Sequence, residues 1–233
     1  MRRLAVLLTT TLALLPIGGA VTPSDAAGAV WVRQAQRQLN ALHCDAGPAD
    51  GRIGAHTRSA VVRLQSRHGM RPTGHLDKDT RRLLRSGEGH RCDRRPLPRH
   101  SGTGRRIVIS QGQNWLWLVG SRGRVVSQAG VVDNPAVLRK GTWHTGSYCG
   151  RAARVRLNTS GALWLDDFVR FAPCGIGFHR IPRRMSTGGQ IHPDWYLGTD
   201  LAGDSHGCIR LSKRMAERVW GFTEGRTTTV KVL

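Results

Sequence analysis

Ser205-His206-Gly207-Cys208-Ile209-Arg210-Leu211 is the stretch that decides how the rest of this 233-residue chain is read. It sets a cysteine beside a glycine and a histidine, with an arginine two residues on, close to the C-terminus. The chain carries five cysteines. In an oxidising compartment cysteines pair, so an odd count leaves at least one thiol over. Cys208 is the candidate. His206 and Arg210 supply positive field and Gly207 exposes backbone N–H groups, surroundings that suit a reactive thiolate. The competing use of such a residue is as a small buried cysteine packed in a turn.

The start of the chain points to an oxidising compartment. Arg2 and Arg3 precede an apolar run, Leu4 to Ile17, broken only by Thr9, Thr10 and Thr11. Ser24-Asp25-Ala26 then fits the small-x-small rule for cleavage before Ala27, so residues 1–26 read as an export signal. The run is short of the ~20 apolar residues that a membrane anchor needs. No cysteine follows it to carry a lipid, and the expected location is secreted and wall-associated, with no stable membrane anchor. The formal net charge of +21 comes almost wholly from arginine, since Lys78, Lys140, Lys213 and Lys231 are the only lysines. Such a surface attracts polyanions. Nucleic acid is set aside, because no basic helix or stacking-aromatic module is visible in an exported chain. The anionic bacterial wall is the partner that charge and compartment leave.

Residues 93–104 combine proline, glycine and charge with almost nothing to bury, and read as a linker. Before it the pattern is helical. Val32, Ala35, Leu39 and Leu42 share one helix face, Ala60, Val61 and Leu64 mark a second helix over 57–68, and Leu83 and Leu84 face inward from a third over 79–85. Two segments echo each other: Gly51-Arg52-Ile53-Gly54-Ala55-His56-Thr57-Arg58 and Gly74-His75-Leu76-Asp77-Lys78-Asp79-Thr80-Arg81. Each reads as a turn feeding a helix. After the linker the period changes to short strands at 106–110, 115–119 and 124–126, a β-meander. Further strands are expected at 155–157, 162–165, 175–179 and 227–232. Ser212 is placed to cap a helix with Met215, Ala216, Val219 and Trp220 on its buried face. The fold class is α+β in two domains: a small three-helix module, then a mainly β domain with a helix after the cysteine motif.

The first region resembles the peptidoglycan-binding type 1 domain over residues 29–92. The match rests on the Asp50-Gly51-x-x-Gly54-x-x-Thr57 loop, on Ala60-Val61 and Gln65, and on Gly69 through Thr73-Gly74 and Leu76. Leu64 stands where the family usually has Phe. The resemblance implies wall binding, with Asp50, Gly51, Gly54 and Thr57 as its residues; the alternative is a three-helix spacer. Cys44 and Cys92 lie near the two ends of this module, and a disulfide there closes a loop worth on the order of 4 kcal/mol. The same logic pairs Cys149 with Cys174, although four cysteines allow three pairings. No C-x-x-C or H-x-x-x-H spacing invites a metal, and no cofactor is expected.

Residues 105–233 resemble the L,D-transpeptidase catalytic domain, the YkuD-like family, which implies a β-sandwich. Ser205, His206, Gly207, Cys208, Ile209 and Arg210 match that family's motif position by position. The resemblance implies Cys208 as nucleophile on a peptidoglycan tetrapeptide stem, with a thioester intermediate resolved by the amine of a second stem to give a 3–3 cross-link. An upstream histidine serves as general base. His179 ends the strand-like Gly175-Ile176-Gly177-Phe178, whereas His192 follows Gly188-Gly189-Gln190 and reads as a polar loop residue. A strand end aims a side chain more rigidly, so His179 is preferred and His192 is the alternative. His206 is left a supporting role beside the thiolate or on the substrate. Backbone N–H groups around Gly207 and Cys208 are expected to hold the oxyanion. Arg210 either binds the stem's carboxylate or caps the following helix. Two other classes share these residues: an L,D-carboxypeptidase or other secreted cysteine hydrolase, with water as acceptor, and a wall-binding protein without catalysis.

Overall fold

The computed structural model describes residues 23–203 and 205–233. The expected export signal lies outside them except for residues 23–26, which begin the first helix. Three helices come first: α1 (Pro23–Ala41), α2 (Ala55–Arg67) and α3 (Lys78–Ser86). Ala35, Leu39, Ala60, Val61, Leu64, Leu76 and Leu84 close around the Cys44–Cys92 disulfide, and Leu83 packs at the edge of that cluster. The sequence echo has a structural cause. The Gln36 amide donates to Arg52 O and Thr57 Oγ1 and accepts from Gly51 N–H. The Gln65 amide does the same to His75 O, Thr80 Oγ1 and Gly74 N–H. Each glutamine ties one turn to the helix it feeds, satisfying backbone groups that the turn leaves open. Gly51 (φ 83°) and Gly74 (φ 69°) take the left-handed conformation that these turns require.

Ten strands follow: β1 (Arg106–Ser110), β2 (Trp115–Val119), β3 (Val125–Gly130), β4 (Gly141–His144), β5 (Arg154–Ser160), β6 (Leu163–Arg170), β7 (Gly177–Arg180), β8 (Arg183–Arg184), β9 (Ile209–Leu211) and β10 (Thr229–Val232). One sheet has the order β3-β2-β1-β10-β4; the other is β5-β6-β7-β9, with β8 on β6. The expected meander is β1 to β3, and two pairs, β1/β10 and β7/β9, are parallel. Ile107, Ile109, Leu116, Leu118, Val230 and Val232 of the first sheet meet Val169, Phe178, Ile209 and Leu211 of the second. Helix α4 (Lys213–Phe222) adds Met215, Ala216, Val219 and Phe222 to that core, and Ser212 Oγ caps it by accepting from Met215 N–H. Trp220, expected on the buried face, is half-buried, and the Arg154 and Arg156 guanidinium groups lie over its ring, 3.9 and 4.0 Å from its centroid.

The segment 93–104 does not hang free as its composition suggests. Strand β2 is apolar on both faces, and its outer residues Trp115 and Trp117, with Val108 and Val119, need a cover. Leu97 packs on them, and Trp117 Nε1 donates to Arg95 O at 3.1 Å. Arg95 is 3% exposed, lies over the Trp115 ring at 4.3 Å, and donates to Ser66 Oγ, Gln113 O and Arg63 O. Arg63 on α2 completes the junction. It donates to Cys44 O and Asp45 O within the helical module, and across the junction to Trp195 O at 2.5 Å and Leu197 O at 3.1 Å. Burial pulls its guanidinium down to about 10. His56 stacks on Trp195 at 4.9 Å, so the helical module rests on the residues that follow His192.

Candidate active site

Strand pairing assembles the site. Arg170 on β6 is in register with Gly177 on β7, and Phe178 is in register with Ile209 on β9. Cys208, one residue before β9, therefore continues the row Arg170–Gly177. Side chains alternate along strands, so the next row on the same face is Phe168, His179 and Arg210. Phe178, Ile209 and Leu211 point the other way, into the core. The Phe168 ring stacks on His179 at 6.0 Å. It also occupies the place of a side chain at Gly177, where a Cβ would come within 2.6 Å of it. Only glycine fits there.

The loop carrying the motif is held from both sides. Ser205 is buried; its carbonyl accepts from Asn134 Nδ2 at 2.7 Å and its Oγ accepts from Gly207 N–H at 3.0 Å. That last bond engages one of the N–H groups expected at the oxyanion, so Ser205 shapes the turn and Gly207 N–H is not a vacant donor. Gly207 has φ 106°, and a Cβ would stand 2.7 Å from Val137 Cγ1. His206 is exposed, which suits a group that meets substrate and not one packed beside sulfur. Cys208 is the free cysteine, half-buried, and its Sγ–H donates to Gly175 O at 3.3 Å. Cys149–Cys174 is the second disulfide; it anchors the residue just before Gly175.

Burial pushes the Cys208 thiol above its ordinary value, against the pull of the Gly177 N–H and the Arg170 and Arg210 charges. The resting group is a thiol, and its activation needs a base. Burial also lowers His179, to about 4, so the imidazole is neutral at pH 7 and able to take a proton. Its Nδ1–H donates to Arg180 O at 2.5 Å, which leaves the lone pair on Nε2. His192 departs from the sequence reading as a polar loop residue. It is 7% exposed, its Nδ1–H donates to Pro193 O at 3.1 Å, and its Nε2 is buried with no partner. Tyr196 packs edge-on against it, and burial lowers its pKa too. Arg210 lies in β9, close enough to act on both imidazoles and on Cys208, while Ser212 provides the helix cap.

The residues singled out in the helical module build its loop. Asp50 accepts from Gln36 Nε2 and Arg52 N–H, Thr57 is buried on Gln36, and Gly54 stands at the N-terminus of α2. The strand expected at 162–165 stops short of Arg170, which lies at the end of β6 beyond Asp166-Asp167; the Phe168/Arg170 alternation was the available signal.

The sequence model of the L,D-transpeptidase catalytic domain family (YkuD) matches residues 76–232, and that of the peptidoglycan binding domain (PG_binding_1) matches residues 31–84. The chain is similar to a crystal structure of an L,D-transpeptidase from Xylanimonas cellulosilytica, with 21% identity over 97% of this chain and 100% of that one and a TM-score of 0.48. It is similar to an L,D-transpeptidase from Stackebrandtia nassauensis at 20% identity, over 87% and 90% of the two chains, with a TM-score of 0.45. Mycobacterium tuberculosis L,D-transpeptidase 1 is 19% identical over 56% and 62%, with a TM-score of 0.37. No curated protein matches the chain.

Proposed function

Because the chain belongs to the L,D-transpeptidase catalytic domain family and carries a peptidoglycan-binding module before it, we propose that it is an exported enzyme forming 3–3 cross-links between peptidoglycan stems through a thioester on Cys208. The observation that carries this reading is a lone protonated thiol one row from a buried neutral imidazole on the same sheet face. His179 Nε2 takes the thiol proton as Sγ attacks the carbonyl of the donor stem's third residue. The C–N bond to the terminal D-alanine breaks, and the imidazolium returns its proton to the departing amine. The acceptor stem's amine then attacks the thioester, its proton passes to the imidazole and on to the thiolate, and the cross-link is released. His206 meets the stem, Arg210 holds charge beside the reacting groups, and Ser205 and Gly207 keep the turn. His192 is the second candidate for the base, favoured by its unpartnered Nε2.

Division at residues 93–104 is kept for this reading, with wall contact assigned to the loop that Asp50, Gly51, Gly54 and Thr57 maintain. Residues 1–26 are taken as the export signal. Mass spectrometry of purified wall fragments after incubation tests the proposal. Cross-linked dimers with wild type and none with Cys208→Ala support it. Trimmed tripeptide stems without dimers make the chain a carboxypeptidase, and unchanged fragments together with no adduct on Cys208 leave it a wall-binding protein.

A further inference from the structure

Arg170 is the least explained charge in the β domain. It is 3% exposed, and among the described residues no carboxylate pairs with it. Its Nε donates to Ala152 O at 3.2 Å, while its Nη1 is buried with no hydrogen-bond partner. A guanidinium N–H left unpaired away from water is costly, and the commonest group to fill such a place is a carboxylate or phosphate. The nearby charge is also positive, since Arg151 and Arg210 act on the same small region. The guanidinium lies on the Phe168 ring at 4.9 Å, and that ring fills the space over Gly177, giving a flat apolar floor between Arg170 and Cys208. The surrounding loop is fixed. Arg170 N–H donates to Ala153 O, Gly146 N–H donates to Arg170 O, and the Cys149–Cys174 disulfide holds that loop down.

We propose that Arg170 binds the carboxylate of the substrate beside Cys208, taking the C-terminal carboxylate of the residue that leaves. This rests on the reading of Cys208 as an acyl-accepting nucleophile. Arg170 and Cys208 flank Gly177 from opposite sides, about two strand spacings apart, roughly 10 Å between backbones. The Arg170 guanidinium lies over the Phe168 ring within electrostatic reach of Cys208, so one short residue fits between them with its amide nitrogen on the carbonyl that sulfur attacks and its carboxylate at the guanidinium. A longer C-terminal extension would place its charge beyond the reach of Nη1. The residue is thus one that makes the enzyme select a single terminal residue as leaving group.

Alkylation of Cys208 in the full chain by iodoacetate and by iodoacetamide tests this, because the two reagents differ in the carboxylate and neither requires a cross-linking activity. At about 0.5 M salt, which screens the general surface charge, the iodoacetate-to-iodoacetamide rate ratio for wild type should exceed that of free cysteine by ~10-fold or more, the usual worth of one charge-assisted pair. Arg170→Gln should bring the ratio down to that of free cysteine, and Arg170→Lys should restore part of it. A wild-type ratio equal to that of free cysteine overturns the proposal, and it does so even if Arg170→Gln fails to fold. So does an equal slowing of both reagents in Arg170→Gln with a raised pH midpoint, which would make Arg170 a stabiliser of the thiolate alone. A chain with no wall activity but with the anion preference would remove the proposed reaction and keep this site.

Discussion

His179 offers the sharpest test of the site, because its burial makes a claim on stability as well as on chemistry. Folding lowers its pKa from 6.5 to about 4, so the unfolded chain binds a proton that the folded chain refuses. Above pH 6.5 both forms are neutral and the group contributes nothing to the pH dependence. As pH falls from 6.5 toward 4, the unfolded state is favoured by about 1.4 kcal/mol for each unit. At pH 4.5 the loss is about 2–3 kcal/mol, a sizeable part of the ~5–15 kcal/mol that holds a domain together. Urea denaturation of wild type and His179→Gln at pH 7.5 and 4.5 isolates it, since His192 and the carboxylates titrate in both proteins. Wild type should lose about 2–3 kcal/mol more than the variant across that interval. Acylation of Cys208 should follow: with the imidazole neutral, wild type keeps its rate from pH 7 down to about 5, and the variant loses ~10²–10⁴ in rate. Parallel stability curves for the two proteins would refute the buried neutral imidazole. An acid limb at pH 6.5 that survives in His179→Gln would move the base elsewhere, with His192→Gln the next variant to measure.

Arg63→Ala leaves four backbone carbonyls, at Cys44, Asp45, Trp195 and Leu197, without their donor, and should cost about 3–5 kcal/mol in urea denaturation. Trypsin cleavage within residues 93–104 should rise in the same variant. Replacing both Cys149 and Cys174 by serine removes a loop closure worth about 3.5 kcal/mol in the chain-entropy model. It should also slow acylation at pH 7 beyond any change in folded fraction at that temperature, because Gly175 O loses its anchor beside Cys208; calorimetry and adduct mass read the two effects. Iodoacetamide labelling of Cys208 against pH should have its midpoint above that of free cysteine, as burial of the thiol requires. A midpoint below it would mean that the arginine charges outweigh burial.

Local signals carried the helical module and the motif into view. Helix faces at Ala35/Leu39 and Ala60/Val61/Leu64 repeat at the helical period, and the turn-helix echo was visible before its two glutamines gave it a cause. What was hidden depends on distant partners. Strand β4, Gly141-Thr142-Trp143-His144, has little apolar character of its own and is drawn into the sheet by β10. Strand β9 is three residues long and exists because β7 runs parallel to it. The 93–104 stretch has the proline and charge of a linker; what its composition does not reveal is that β2, with five apolar residues, demands cover on both faces. His192 follows two glycines, a solvated setting by composition, yet it is buried with Tyr196 packed edge-on against it. Composition describes a segment, whereas burial belongs to what lies across from it.

The junction at Arg63 and Arg95 gives the molecule a fixed reach. An enzyme tethered by a flexible linker samples every target within the radius of its tether. Here the helical half and the Cys208 sulfur share one frame, so on the proposed function a glycan strand held by the first would be offered to the second at one set offset. The protein would then act as a gauge, setting the interval between its grip on the wall and the stem it joins, and changes at Arg63 would alter the spacing of the cross-links before they altered the chemistry of making them.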